Sequence, residues 1–594
     1  MLFRALSSPL VRHLTLVAVA AALVAHVGCG GAGAVPSPAV PATAARSPSP
    51  AASPAPTSSP PATRSAASPL ATLAAASATT PATASPVSTA LASPPPPRGG
   101  VLRTAVPLAP AHYDVHQDAS TALVQWGPGL AYSRLLRFRT DDGAETPNGE
   151  VECDLCQSWS VTGPLTYEIK LREGVRWQEE APVSGRPLVA SDVVFSLRRQ
   201  STPGWPNAAL LTTLRDVSAL DDRTLRLQLS RPDVEFLARL ADGHTRIVAP
   251  EAVAVSGDLL AGPVVGTGPW RLTDASTSGF RFVANRDYFE AGLPYADALH
   301  IDILPTSDVR AAALRTRTLD FVSAGPVDLD RAVMASPELR RSSAIQPGSG
   351  AEVAFNTASP PFDSPAVRQA ALLAIDPWLD AVEVWHGASR PTAGLPVPAS
   401  SWLVPDEALR EFLASPELAP TRARDAGVRP GTPVTVTAGE FGAEYVDQAF
   451  RIAGSLASIG FAPSLERVST RRFGDDVWFG GRFQVSVGAQ PPVAGLSDYL
   501  LAVHHSRGVW NTTGYASDRL DELILAQSAE SDPARRRELI SQIQIEIMRG
   551  AHRFAPATFH SDWAWWPNVG GFVPNTYRGE SHFLARAWLA RPEQ

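Results

Sequence analysis

The chain has 594 residues, of which 44% are hydrophobic and 18% charged, a globular composition with room for two or three domains. Its formal net charge is −7, so it carries no basic excess with which to neutralise phosphates. This balance argues against general nucleic-acid binding, and we expect no nucleic-acid partner.

The amino terminus has the layout of an export signal. Arg4 and Arg12 precede an apolar run over residues 14–27, which ends beside the small residue Gly28. This run is shorter than the stretch of about 20 apolar residues that spans a bilayer comfortably. We therefore predict a cleaved signal peptide over residues 1–28 and not a permanent membrane anchor.

Cys29 stands where a bacterial lipobox has its lipidated cysteine, directly after Gly28. In such processing the thiol receives a diacylglycerol and the cysteine becomes the new amino terminus, and two acyl chains anchor a protein stably. His26 replaces the leucine that is usual in a lipobox. The alternative is an ordinary signal peptide that is followed by an incidental cysteine.

Residues 30–97 are almost wholly Ala, Pro, Ser and Thr, with Arg46 and Arg64 as the only charged residues. Such a segment cannot bury a core, so we predict a disordered tether over residues 29–98. A proline-rich chain extends by about 3.1 Å per residue, so roughly 70 residues reach up to about 200 Å from a bilayer.

Two further cysteines, Cys153 and Cys156, have the spacing C-x-x-C. An exported location favours a local disulfide, and free thiols remain the alternative. A thioredoxin-like site would need this motif at the start of a helix that follows a strand, and zinc would need four ligands. The sequence shows neither context, so we expect no redox or metal site here.

From residue 98 onward, alternating apolar residues predict strands and apolar residues at helical spacing predict helices. The predicted strands cover residues 101–106, 167–171, 225–229, 280–283, 301–303, 352–356, 434–436 and 483–487. The predicted helices cover residues 191–197, 234–240, 310–317, 366–375, 445–456 and 533–550. This alternation predicts an α/β fold with a largely parallel sheet.

Candidate capping residues indicate where two of the predicted helices begin or end. Ser191 is a candidate N-cap for the first helix, which has Asp192 in its first turn. Asp532 is a candidate N-cap for the last helix, with Pro533 at its first position and Gly550 at its end.

Ten short segments follow one another in a characteristic order after residue 98. They are GGVLR (99–103), CQSW (156–159), YEIKLREGVRW (167–177), ASDVVFSL (190–197), GTGPW (266–270), NRDYF (285–289), PFD (361–363), VRQA (367–370), NTTGY (511–515) and LDELI (520–524). Read together, they resemble the bacterial extracellular solute-binding proteins of family 5, which serve peptide and nickel ABC importers. The resemblance covers essentially everything from Arg98 to the carboxyl terminus.

The resemblance implies an α/β, two-lobed fold like that of periplasmic binding proteins (type II, cluster C), with the ligand buried between lobes that hinge strands join. It also implies an extra subdomain within the first lobe. Family boundaries put the first lobe at residues 99–140, 265–345 and 560–594, the subdomain at 141–264 and the second lobe at 346–559.

The implied function is that of an exported substrate-binding lipoprotein, which captures oligopeptides or similar polar organic solutes and delivers them to the permease subunits of an ABC importer. Such a protein lies at the outer face of the cytoplasmic membrane or in the periplasm, and we expect a monomer without cofactor, metal or catalytic residues. A sensory or pheromone-binding receptor and an exported hydrolase are the alternatives. The hydrolase lacks a motif, because no G-x-S-x-G or H-E-x-x-H pattern occurs.

The segment over residues 490–511 is the first candidate for ligand contacts. Asp498, followed by Tyr499, lies where peptide-binding members of this family present an aspartate to the ligand's α-ammonium, although their Asp-Pro-Asp pattern is not intact here. A surface-loop position is the alternative for Asp498. Trp510 and Asn511 are candidates for a stacking wall and an amide contact, or else for core packing and a turn.

Further candidates lie outside this segment. Tyr113, His116 and Trp126 follow the first predicted strand. Asn356 ends a predicted hinge strand and faces the cleft if the resemblance holds. Arg390 is a candidate partner for a ligand carboxylate, with a solvated arginine as the alternative.

Some conspicuous residues are expected to be structural. We predict that Trp159 and Trp177 are packing anchors and that Arg172 holds a loop. His504 and His505 are adjacent, and neighbouring side chains of a strand point to opposite faces, so we predict no metal site there.

Overall fold

The computed structural model describes residues 96–590 with the exception of residues 142 and 494. The predicted signal peptide, Cys29 and nearly all of the predicted tether lie outside these described residues. Among the described helices, none has both the length and the apolar character that a bilayer crossing requires.

The strands are numbered in chain order. They are β1 (Val101–Val106), β2 (Leu136–Phe138), β3 (Val151–Cys153), β4 (Cys156–Gly163), β5 (Thr166–Leu171), β6 (Leu214–Ala219), β7 (Thr224–Leu229), β8 (Trp270–Ser276), β9 (Gly279–Ala284), β10 (Ala298–Ile303), β11 (Phe321–Ser323), β12 (Arg340–Ile345), β13 (Ala351–Phe355), β14 (Ser389–Thr392), β15 (Thr432–Gly439), β16 (Phe461–Val468), β17 (Val485–Ala489), β18 (Arg553–Trp565), β19 (Val569–Gly570) and β20 (Trp588–Leu589).

The α-helices are numbered in the same way. They are α1 (Thr121–Val124), α2 (Ala190–Gln200), α3 (Phe236–Ala241), α4 (Pro250–Ser256), α5 (Ser307–Arg315), α6 (Pro326–Ala335), α7 (Pro365–Leu373), α8 (Pro377–Glu383), α9 (Asp406–Arg410), α10 (Ala419–Asp425), α11 (Ala443–Ser458), α12 (Thr470–Phe473), α13 (Leu496–Tyr499), α14 (Asp518–Ala529), α15 (Pro533–Gly550) and α16 (Phe583–Arg586).

The long strand β18 connects two parts of the largest sheet, whose order is β11-β18-β13-β17-β15-β16. The first half of β18 pairs with β13 and β14, and its second half pairs with β12 and β11. The change of partner falls near His560, which pairs with Ile345. The chain therefore passes between the two parts of this sheet along β18 and between β12 and β13.

Two four-stranded sheets accompany the largest sheet. One has the order β1-β10-β9-β8, in which β1 runs parallel to β10 and the other pairs are antiparallel. The other is an antiparallel sheet with the order β4-β5-β7-β6. Helix α3 follows this second sheet in the chain and anchors its Phe236 and Leu240 in the same hydrophobic core.

Helix α13 is fixed by a different core. Its Leu496 and Tyr499 are buried together with Leu500, Val503 and the apolar face of α15. Because α3 and α13 are each held by several buried apolar side chains, the polar residues between those anchors have defined positions.

The prediction of a largely parallel sheet was wrong. Among the described strands, only β1 with β10 and β15 with β16 and β17 pair in parallel, and the other pairs are antiparallel. Short turns join β4 to β5 and β8 to β9, and a turn of this length can only form an antiparallel hairpin. The periodicity of apolar residues along the chain does not show how successive strands are connected or in which direction they pair.

Two local predictions are also corrected. Val189 and not Ser191 precedes α2, and the Asp192 carboxylate accepts the N–H of Val189 at 3.1 Å. Trp159 is 36% exposed on β4 and is no packing anchor.

Other structural predictions were confirmed. Trp177 is buried, and its indole N–H donates to Asp192 at 3.2 Å. Arg172 donates to the backbone oxygens of Asp154 and Cys153, so it does hold that loop. The sequence left the state of the two cysteines open, and in the structure Cys153 and Cys156 form a disulfide between the ends of β3 and β4.

Candidate ligand-binding site

Asp498 lies in α13 and forms an ion pair with Arg239 of α3. The distance between Arg239 Nη2 and Asp498 Oδ2 is 2.7 Å. The Asp498 side chain is 29% exposed, whereas that of Arg239 is only 3% exposed. Solvent therefore reaches the carboxylate and hardly reaches the guanidinium.

Arg239 has a second carboxylate partner on its own segment. Its Nε lies 3.0 Å from Asp233 Oδ2, and the Thr213 hydroxyl donates to the same oxygen at 2.8 Å. Arg239 thus bridges Asp233 and Asp498, which belong to distant parts of the chain.

A second set of contacts lies beside this bridge. Arg536 of α15 donates to Glu235 Oε1 at 2.8 Å and to the Ser497 hydroxyl at 3.1 Å. The Ser497 backbone N–H also donates to Glu235 Oε1, at 3.3 Å. We call Asp233, Glu235, Arg239, Asp498 and Arg536 together the charged cluster.

The charged cluster shifts the ionisation of its acids in opposite directions. Burial raises the pKa of Asp498, although the Arg239 guanidinium opposes that shift. Burial would also raise the pKa of Glu235, but the guanidinium groups of Arg578 and Arg536 outweigh it and lower that pKa. Glu235 is therefore a charged partner at neutral pH, held by cations on two sides.

Gly495 permits this close approach. Its φ is 90°, in the left-handed region that favours glycine, and a Cβ built there would lie 2.8 Å from Glu235 Oε2. A side chain at this position would be strained by the backbone conformation and would displace the Glu235 carboxylate, so glycine favours the contact between these chain segments.

The neighbour of Asp498 has a different environment. Tyr499 is buried in the core of α13, and its hydroxyl donates to Glu352 Oε2 at 3.3 Å. Glu352 is in turn an ion-pair partner of Arg553. A ligand role for Tyr499 stays a prediction, and in this structure its hydroxyl already has a protein partner.

Trp510 and Asn511 do not join the charged cluster. Trp510 is buried and packs edge to face on Phe479, with 4.9 Å between the ring centroids. The Asn511 amide donates to the backbone oxygens of His505 and Tyr515. These contacts agree with the packing and turn roles that the sequence left open.

Asn356 directly follows β13. It lies at the end of that strand that is farther from His560, where β18 changes its partner. Its amide donates to the backbone oxygens of Gly481 and Phe483, at 2.9 Å in each case. Asn356 also lines a cavity of about 390 Å³ together with Thr435 and Thr437. The structure does not bring Asn356 to Asp498.

The remaining candidates lie in other environments. Trp126 packs against Trp563 at a centroid distance of 5.7 Å, and Tyr113 packs against the same core. Arg390 pairs with Asp406 at 2.6 Å. His116 is buried, and burial lowers its pKa to about 4. None of these four contributes to the charged cluster.

The sequence singles out Asp498 as a candidate but none of its ion-pair partners. Arg239 and Glu235 lie in a segment that was predicted only as a short helix, and Arg536 lies in the predicted last helix, where no role was assigned to it. The one available signal was an arginine among the apolar residues of that short helix, and it does not identify a partner hundreds of residues away.

Gln490 is a second residue whose burial the sequence did not indicate. It is 91% buried after the end of β17, and its amide nitrogen and oxygen have no hydrogen-bond partner among the described residues. A Cβ built on Gly394 would lie 3.3 Å from the amide nitrogen. An amide of this kind has both a donor and an acceptor available.

Comparison with known proteins shows the family. The model of the middle region of bacterial extracellular solute-binding proteins, family 5, matches residues 150–508, more than half of the chain. Heme-binding protein A of Haemophilus influenzae is 31% identical over 319 residues, which are 50% of this chain and 56% of that protein. The dipeptide-binding protein of Escherichia coli is 27% identical over 345 residues, which are 54% of this chain and 62% of that protein. The chain thus spans less than two thirds of the length of these relatives.

Solved structures show the fold. HbpA2 from Haemophilus parasuis has a TM-score of 0.69 at 21% identity and covers 83% of this chain and all of its own. The oligopeptide-binding protein AppA from Bacillus subtilis, solved with a nonapeptide, has a TM-score of 0.60 at 20% identity and covers 84% of this chain and all of its own. The expected two-lobed fold of periplasmic binding proteins is thereby confirmed. The chain belongs to the bacterial extracellular solute-binding proteins of family 5.

Proposed function

We propose that this protein is the substrate-binding component of an ABC importer, which captures an oligopeptide or a similar polar organic solute between its lobes and delivers it to a membrane permease. The family match over residues 150–508 is the observation that carries this proposal. Relatives named for dipeptide binding and for peptide transport support the ligand class. Two-lobed proteins of this kind close around a ligand that contacts both lobes.

Within this function, we propose the surface at Asp498 as the ligand-facing region. The Asp498 carboxylate is partly exposed and lies against a helix of the predicted subdomain. A carboxylate in such a position can pair with a ligand ammonium through a charge-assisted hydrogen bond. The predicted role of Asp498 as an ammonium anchor rests on this placement together with the family resemblance.

We also propose that the protein acts outside the cytoplasm on a lipid anchor. The support comes from residues 1–98, where a predicted signal peptide, Cys29 and a predicted proline-rich tether follow one another. A tether of this length allows the lobes to reach a permease from an anchored amino terminus.

Binding without turnover distinguishes this proposal from the exported hydrolase. The test is native mass spectrometry of the protein after incubation with a library of di- to pentapeptides and desalting. We expect one peptide of unchanged mass per chain. Bound or released fragments of the library peptides would favour the hydrolase, and permease and ATPase genes beside this one would argue against a sensory receptor.

A further inference from the structure

The carboxylate that is proposed to bind a ligand cation already holds a cation of the protein. Arg239 Nη2 lies 2.7 Å from Asp498 Oδ2. We propose that Arg239 is an internal competitor for Asp498, and that it determines which ligands this carboxylate accepts. This inference rests on the proposed function and concerns the same site.

Competition follows from the chemistry of the pair. A guanidinium and an ammonium are both cations that seek carboxylate oxygens, and a second cation at a carboxylate that is already paired meets the repulsion of the first. A ligand ammonium therefore pairs more favourably with Asp498 when Arg239 moves away. A ligand without an ammonium group has no such cost.

Displacement is possible because Arg239 keeps another partner. Its Nε lies 3.0 Å from Asp233, and its Nη2 lies 4.0 Å from Glu235. When Arg239 leaves Asp498, its charge thus remains compensated on its own segment. A buried guanidinium with no acid beside it would cost far more.

The exposure of the two side chains gives the direction of approach. Asp498 is 29% exposed and Arg239 is 3% exposed. A ligand group therefore meets the carboxylate first and displaces Arg239 toward Asp233. Because Arg239 lies in the predicted subdomain and Asp498 in the predicted second lobe, this exchange also removes one contact between them.

The test compares a free-amine peptide with its N-acetylated form in calorimetric titrations of the wild type and of Arg239→Gln. The variant should raise the preference for the free amine by about tenfold. Adding Asp498→Asn should abolish the gain. Arg451→Gln is the matched control, since it removes a guanidinium from Asp380 outside the charged cluster, and it should leave the preference unchanged.

An unchanged preference in a folded Arg239→Gln variant would overturn the role of Arg239. If that variant does not fold, the crystal structure of the wild type with the free-amine peptide decides. Arg239 beyond 4 Å from Asp498 would support the proposal, and an intact pair would refute it. Failure of the wild type to bind either peptide form would instead contradict the proposed function itself.

Discussion

The guanidinium of Arg536 and the carboxylate of Glu235 meet at 2.8 Å, although the two residues are 301 positions apart in the chain. Both side chains are largely buried, and Ser497 hydrogen-bonds to each of them. A segment of the predicted subdomain is thereby joined to two helices of the predicted second lobe.

Replacing Glu235 with Gln should destabilise the protein. The change leaves the largely buried Arg536 without its acid, which typically costs about 3 kcal/mol or more. Chemical denaturation of the variant and the wild type measures the difference. The control is Glu440→Gln, which breaks the exposed pair with Arg467 at 2.8 Å and should cost less than about 1 kcal/mol. Equal losses in the two variants would contradict the structural role of Glu235.

The buried pair His504 and His552 should make the protein sensitive to acid. Their rings meet at 3.1 Å between Nδ1 and Nε2, and burial lowers both pKa values well below 6.5, with the Arg553 guanidinium adding to the effect. A lowered pKa in the folded state means that the unfolded chain binds the proton better. Stability should therefore be complete above about pH 6.5 and should fall as the pH decreases below it.

The measurement is the melting temperature between pH 7 and pH 5 for the wild type and for His552→Gln. The variant should lose part of the pH dependence, up to about 1.4 kcal/mol per pH unit for the one titrating group removed. His505→Gln, which changes a neighbouring histidine outside the pair, should retain it. Identical slopes in all three proteins would refute this account.

The disulfide between Cys153 and Cys156 should contribute modestly to stability because it closes a very short loop. The chain-entropy relation gives about 2 kcal/mol for a loop of this size. Cys153→Ser should lower the free energy of unfolding by about that amount. Reductant should reproduce the loss in the wild type and should have no effect on the variant; a reductant-sensitive variant would argue against this disulfide.

Cys29 should carry a lipid in the host organism. Radiolabelled palmitate is expected to enter the wild-type protein and not the Cys29→Ser variant, because the thiol is the site of diacylglycerol transfer in the proposed processing. Equal labelling of the two proteins, or labelling of neither, would contradict the proposal that Cys29 is lipidated. Gly30→Ala keeps the cysteine and should still be labelled.

The sequence correctly predicted strands and helix ends that depend on neighbouring residues alone. The strand over Val101–Val106 was confirmed at both ends, and Asp532 does cap α15, where its carboxylate accepts the N–H of Arg535 at 2.9 Å. The prediction for Trp159 was wrong because β4 is an edge strand of its sheet and most of its residues are exposed. An aromatic residue in a strand gives no sign of which face is covered.

The candidate site was predictable only in part. Asp498 was singled out by family position, but its ion pair with Arg239 depends on how α3 and α13 are brought together by separate cores. No periodicity or spacing encodes a contact of that kind. The sequence therefore named one member of the charged cluster and none of its partners.

Ligand-induced stabilisation tests the central proposal most directly. The melting temperature should be measured against a broad library of short peptides, with other polar organic solutes included. A true ligand at about 100 times its Kd should stabilise the folded protein by about 2.7 kcal/mol through mass action, which is visible as a clear rise in Tm. An unchanged Tm across the whole library would contradict the proposal that this protein captures such solutes.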